Sequence, residues 1–264
     1  YNLVDAYFVG GLGTSQMGAI SVAFPLGQVV VGLGLLFGNG AASYISRLLG
    51  HGETETADRV ASTALYSNIS VGAVIIICTI LFLRPILRLL GATESILPYA
   101  EIYAGIYVVS SIFNIFNVTM NNIVTSEGAA KTTMCALLTG AVLNMVLDPV
   151  FIYVLHLGVA GAAIATAISQ IVSTAVYLCY VFRKKSVFSF SIKKCCFSSE
   201  IMSEILKIGI PTLVFQLLTS LSVALINLKA RPYGDSVIAG MGAVTRIISM
   251  GSLMVFGFLK GFQP

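Results

Sequence analysis

Eight apolar stretches, separated by short clusters of charge, glycine and proline, leave this chain few ways to fold. A helix needs about 20 mostly apolar residues to cross the hydrocarbon of a bilayer. Only helices and closed barrels satisfy their own backbone hydrogen bonds there. The punctuation predicts helices over residues 1–9, 16–46, 60–83, 99–126, 132–155, 160–182, 208–228 and 236–259. Gly158 and Gly161 divide what would otherwise be one impossibly long span between Lys131 and Arg183. Charged residues make up 10% of the chain, against roughly 25% in soluble domains, which is too few to wrap a globule in water. The fold class expected is therefore an all-α membrane protein. The opening residues, YNLVDAYFVGGLG, read as the tail of a helix, and the closing VFGFLKGFQP has no polar tail, so the chain is expected to be a piece of a longer protein.

Lysine and arginine in the connections set the expected orientation. Arg47, Arg59, Lys131, Arg183, Lys184, Lys185, Lys193, Lys194, Lys207 and Lys260 fall on one side, which predicts a cytoplasmic loop over 183–207 in a cell membrane. Arg84, Arg88, Lys229 and Arg231 fall on the other, and Arg84 and Arg88 run against the rule. The net charge of +4 collects in loops rather than along a face, which gives no footprint for nucleic acid. The five cysteines show no CxxC spacing, and the two histidines (His51 and His156) form no cluster with them. No metal centre, cofactor or disulfide framework is expected, and Cys195 and Cys196 read as plain thiols. An intramembrane enzyme would need a nucleophile–base pair or metal ligands within the spans, and His156 has no evident partner there; no enzymatic role is expected. A faint echo between the start of the chain and INLKARPYGDSVIAGMGAVTRI predicts a six-helix repeat and about twelve spans in a complete protein.

Ionisable groups inside a span are costly and usually functional. Glu101 and Glu127 lie near helix ends and can reach the interfaces. Arg246 lies well inside the last span, where snorkelling, pairing with a carboxylate and lining a cavity all fit the sequence. Asp5 sits about 7 Å from the outer end of its helix, and Asp148 about 15 Å below the Gly158 turn, at 1.5 Å per residue. Asn144 precedes Asp148 by four residues and shares its face. Thr166, on the next span, falls at a similar depth. Pro149 is expected to bend the helix and to free the carbonyl of Met145. Two carboxylates in one apolar pocket cannot both stay ionised cheaply, so one takes a proton or a cation enters. A hard cation such as Na⁺ would find oxygen ligands in Asn144 and Thr166. A hydrogen-bonded pair that merely pins two helices together fits the same pattern.

These residues lie in segments that resemble the multidrug and toxic compound extrusion (MATE) family. They are DAYFVGGLG at Asp5–Gly13, the segment with Pro25 running into SRLLGHGE, EGAAKT, LNMVLDPVFIY around Asp148 and GVAGAAIATAISQ around Thr166. The resemblance implies two six-helix bundles in a V-shaped exporter, of which this chain covers the end of helix 1 through helix 8. Residues 1–182 would form most of the N-lobe, 183–207 a basic cytoplasmic connection, and 208–264 the start of the C-lobe. It implies export of organic cations or other amphipathic drugs, cationic amphipaths foremost, by a monomer, against entry of H⁺ or Na⁺. It places the coupling cation at Asp5, Asn144, Asp148 and Thr166, with no other metal, and gives Pro25 and the small residues around it a role in bending and close packing. Some branches also use a glutamate on helix 7; residues 208–228 hold no acid, and the chain better resembles the DNA-damage-inducible branch. A flippase for lipid-linked oligosaccharide or peptidoglycan precursors, of the same superfamily, is the alternative. Its pyrophosphate carriers call for more intramembrane cations than Arg246 alone.

Overall fold

Glycine, proline and charge end the helices much where they interrupt the apolar runs. The computed structural model describes residues 2–196 and 198–261; Tyr1, Phe197 and 262–264 lie outside the described residues, as do the side chains of Asn2, Leu3, Lys193, Leu253, Phe256, Leu259 and Lys260. The helices are α1 (Asn2–Gly10), α2 (Thr14–Gly50), α3 (Thr54–Leu81), α4 (Leu83–Leu89), α5 (Leu97–Ser126), α6 (Ala130–Pro149), α7 (Gly158–Phe182), α8 (Ser199–Ala230) and α9 (Asp235–Gly261). Among the described residues, six helices are long and apolar enough to cross a membrane, namely α2, α3, α5, α6 with its extension, α7 and α8. Their outward faces carry Ile77, Leu81, Leu138, Val142, Leu218 and Leu225, all exposed. An apolar exterior of this extent suits lipid and not water.

Four elements depart from the expected boundaries, and one of them, α3, begins at Thr54 rather than 60. α8 begins at Ser199 rather than 208, capped by the Ser198 side chain, which accepts from the Glu200 amide. The longer helix includes Glu204, which binds Arg47 and Lys207 at 2.8 and 2.6 Å. α8, which corresponds to helix 7 of the expected count, therefore does carry acids, Glu200 and Glu204, but at the end where the basic loops gather and outside residues 208–228. The short α4 was not foreseen. It buries Leu87 and turns Arg84 and Arg88 outward, to pair with Glu101 at 2.8 Å and Glu94 at 3.2 Å. These pairs account for two arginines on the side that the charge rule disfavours. At Pro149 the α-helical register ends. The backbone opens into a π turn over Val150–Val154, closed by Leu155 N–H donating to the Val150 carbonyl at 2.9 Å. A missing amide is a natural place for the helix to widen its register.

The basic connection over 183–198 is fastened down. Asp58 on α3 accepts from the Ser189 amide, the Ser189 hydroxyl and Lys194 Nζ at 2.8, 2.7 and 2.6 Å. Glu127 accepts from Ser186 Oγ and the Val187 amide, and Phe188 and Phe190 are buried. Two apolar clusters form the interior. One gathers Val9, Ile20, Ile96, Tyr103, Ile152 and Ile238; the other gathers Phe37, Ile45, Met120, Ile123, Tyr177 and Ile205.

Polar rungs tie the helices across this interior. Asn68 on α3 donates to Thr119 on α5. Asn117 on α5 donates to both the carbonyl and the Oε1 of Gln170 on α7, at 2.9 and 2.8 Å, and accepts from Thr174 at 2.9 Å. α2 and α8 cross closely: a Cβ at Gly209 would run into the Leu36 carbonyl oxygen, and one at Gly40 into that of Ile205. Small residues at such crossings let two backbones approach.

Pro25 shapes the same contact. Lacking an N–H, it cannot serve the carbonyl of Ser21. Asn227 Nδ2 of α8 donates to that carbonyl at 3.1 Å, and Ser220 Oγ donates to the carbonyl of Pro25 itself at 2.9 Å. The proline expected to bend α2 opens a docking point for α8. At one end of this contact, Asp235 at the start of α9 accepts from Ser15, Thr93 and Ser95 at 2.8, 2.7 and 2.7 Å.

Candidate functional site

Three helices bring the acidic residues together. α1 carries Asp5, α6 carries Asn144 and Asp148 one turn apart, and α7 carries Thr166. α7 comes near because Gly161 has no side chain: a Cβ there would lie 2.7 Å from the carbonyl carbon of Phe151, inside the π turn. α1 is held from the same turn, since the Tyr153 hydroxyl donates to the carbonyl of Phe8. The widened backbone after Pro149 therefore touches both partners of α6.

All four side chains are buried, none more than 4% exposed. Asn144 Nδ2 lies 3.3 Å from Asp5 Oδ1, 3.1 Å from Asp148 Oδ1 and 3.4 Å from Thr166 Oγ1. Thr166 Oγ1 donates to Asp5 Oδ2 at 3.1 Å. An amide nitrogen has two hydrogens, so three acceptors compete for two bonds. Two buried oxygens, Asn144 Oδ1 and Asp148 Oδ2, receive no donor. Buried acceptors without partners are costly, and a proton on Asp148 or a hard cation beside both oxygens would satisfy them. The donor set, all oxygen, suits Na⁺ and not a soft metal. Among the described residues no group of three or more His, Cys, Asp or Glu could hold a metal ion.

The structure adds one residue that sequence reasoning missed. Tyr103 on α5 points its hydroxyl at Asp5 Oδ2 from 3.5 Å and stacks on Tyr107, with ring centroids 6.0 Å apart. Two tyrosines spaced by four in an apolar span were the available signal. Arg246 is 4% exposed, which removes snorkelling, and among the described residues no carboxylate forms an ion pair with it. Its Nη1 lies 3.9 Å from Met17 Sδ, and its guanidinium sits 5.9 Å from the centre of the Phe24 ring. It lines a cavity of about 560 Å³ with Val4, Tyr7, Met17, Met145 and Ile247. Val4 and Tyr7 flank Asp5 in sequence, so one helix carries both the cavity wall and an acid of the buried cluster. A volume of that size falls within the range of small-molecule sites. Glu101 and Glu127 remain outside the cluster, in the pairings described above.

Comparison with known proteins gives consistent results at the level of family. The family model MatE matches residues 1–150. Multidrug export protein MepA of Staphylococcus saprophyticus is 34% identical over the whole chain, as is MepA of Staphylococcus aureus strain NCTC 8325. The chain spans 59% of the length of these relatives. Among solved structures, an inward-facing MATE family transporter of the MOP superfamily superposes with a TM-score of 0.90 at 31% identity, over 96% of this chain and 58% of that one. An outward-facing form gives 0.86, over 97% and 57% at the same identity. The MATE multidrug transporter DinF-BH gives 0.84 at 34% identity, over 94% and 56%.

Proposed function

Because the chain belongs to the MATE family, we propose that it is the larger part of a secondary active multidrug exporter that drives amphipathic drugs outward against H⁺ or Na⁺. The observation that carries this reading is the interlocked set of Asp5, Asn144, Asp148 and Thr166, with two buried oxygens left without donors. In this scheme Asp5 and Asp148 hold the coupling charge, and Asn144 and Thr166 orient the carboxylates and offer oxygen to the ion. Proton or Na⁺ arrival relieves the repulsion between the two acids. It also releases the Asn144 and Thr166 hydrogens now spent on Asp5, so that α1 shifts and the cavity beside it is reshaped. The relatives' names, as multidrug export proteins, support drugs as cargo, and the apolar cavity lined by Tyr7, Met17 and Met145 suits an apolar or aromatic body. The basic loops at one end support a cytoplasmic placement of the 183–198 segment. Residues 1–182 would then belong to one lobe, and α8 and α9 would begin the other.

The test uses the full-length protein in vesicles under separately imposed Na⁺ and pH gradients. Asp5→Asn and Asp148→Asn should each abolish ion-driven efflux of a fluorescent drug. Retention of gradient-dependent efflux by both variants sinks the assignment.

A further inference from the structure

A groove of about 550 Å³ runs along the surface of α6 and α7. Val172, Val176 and Cys179 form its apolar length, and Lys131, Arg183 and Lys185 stand at one end. The three cations meet there because α6 begins, and α7 finishes, at the same end of the bundle. All three are exposed, and among the described residues none has a side-chain ion pair or hydrogen bond. Glu127, the carboxylate nearest to Lys131 in sequence, is turned to Ser186 and Val187. α6 and α7 pack on α1, α5 and each other, whereas α8 and α9 pack on α2. Among the described residues, α8 and α9 therefore leave the groove uncovered.

We propose that this groove binds one anionic phospholipid from the bilayer, its acyl chain against Val172, Val176 and Cys179 and its phosphate among Lys131, Arg183 and Lys185. The occupant follows from charge complementarity. Unpaired cations at the level where a helix leaves the hydrocarbon meet a phosphate at that same level, and the apolar length below them matches a chain. Basic pockets between spanning helices hold acidic headgroups in this way. The lipid would brace α6 against α7 through residues that share none of the cavity's lining, so the site is independent of which cargo the protein carries.

The experiment uses the full-length protein in neutral detergent, with binding read by native mass spectrometry and stability by melting temperature. Titration with dioleoyl-phosphatidylglycerol should give a retained lipid and a higher melting temperature than dioleoyl-phosphatidylcholine, and inorganic phosphate should give neither. At about fivefold per cation, Lys131→Gln, Arg183→Gln and Lys185→Gln together should weaken phosphatidylglycerol binding roughly a hundredfold. Each single variant should give its own fivefold step, which keeps the test sound should the triple variant not fold. Cys179→Trp fills the groove while leaving all three charges in place, and should also lose the preference. Equal binding of the two lipids, an effect of inorganic phosphate matching that of phosphatidylglycerol, or an unchanged preference in the charge variants overturns the proposal. So does an intact preference in Cys179→Trp, which would reduce the effect to surface attraction.

Discussion

Replacing Asn227 by alanine should destabilise the full-length protein through a carbonyl that belongs to another helix. Pro25 offers no N–H to Ser21, and Asn227 Nδ2 supplies the substitute from α8 at 3.1 Å. Both partners are buried, Ser21 at 1% and Asn227 at 2% exposed. A buried acceptor left without a donor costs about 1–3 kcal/mol in soluble proteins. Interhelical polar bonds in a bilayer average about 0.6 kcal/mol and reach about 1.7. The expected loss is therefore about 1 kcal/mol. A loss of that size has many causes, so the discriminating perturbation is the second one. Pro25→Ala restores the missing amide, and Ser21 then has a donor within its own helix. In that background Asn227→Ala should lose most of its cost, leaving a coupling energy of about 0.5–1 kcal/mol. The assay is equilibrium unfolding of four purified full-length proteins: wild type, each single variant and the double. If the two effects add within about 0.3 kcal/mol, as for independent sites, Asn227 is not serving the carbonyl that Pro25 exposes.

Two further outcomes follow from contacts elsewhere. Burial of Asp235 opposes its ionisation, yet the hydroxyls of Ser95, Thr93 and Ser15 outweigh that and hold its carboxyl below the usual carboxylate range. A lowered folded value means the stabilisation is complete above the unfolded value of about 3.9 and fades as pH falls through the folded one; melting of wild type and Asp235→Asn should therefore differ near neutrality and converge in acid. Gly209→Ala forces a Cβ into the Leu36 carbonyl oxygen, and overpacking of this kind costs about 1–3 kcal/mol; a melting temperature equal to wild type would show that the α2–α8 crossing is looser than described.

Much of this architecture was legible because each span must be long, apolar and self-satisfied in hydrogen bonds. The four buried polar residues were legible too, since the depth of Asp5, the four-residue step from Asn144 to Asp148 and the place of Thr166 past Gly161 are all sequence quantities. What escaped depended on partners brought from far along the chain. Tyr103 acquires its place only when α5 sets it against α1. Glu127 reads from sequence as a residue near a helix end, and Asp58 carries no signal at all, yet both pin a loop more than fifty residues away. α4 was hidden because LRPILRL is too short for a periodic signal and contains a proline. The start of α8 was misplaced because SEILK is polar by composition, although Ser198 caps it and Glu200 follows in the first turn.

The rungs between α5 and α7 carry a mechanical consequence. Asn117 grips Gln170 by both backbone and side chain and takes Thr174 as well, so a slide of one residue, about 1.5 Å along the axis, would break three bonds at once. Two helices geared in this manner travel together or not at all. With Asn68 and Thr119 meshing α3 to the same axle, α3, α5 and α7 form a chassis that transmits displacement without absorbing it. α1, by contrast, is only nine residues long and hangs by Asp5 and the Phe8 carbonyl on bonds to α5, α6, α7 and the π turn. Under the coupling proposed above, a change at Asp5 would be felt first by that short helix, whose Val4 and Tyr7 are also the wall of the cavity.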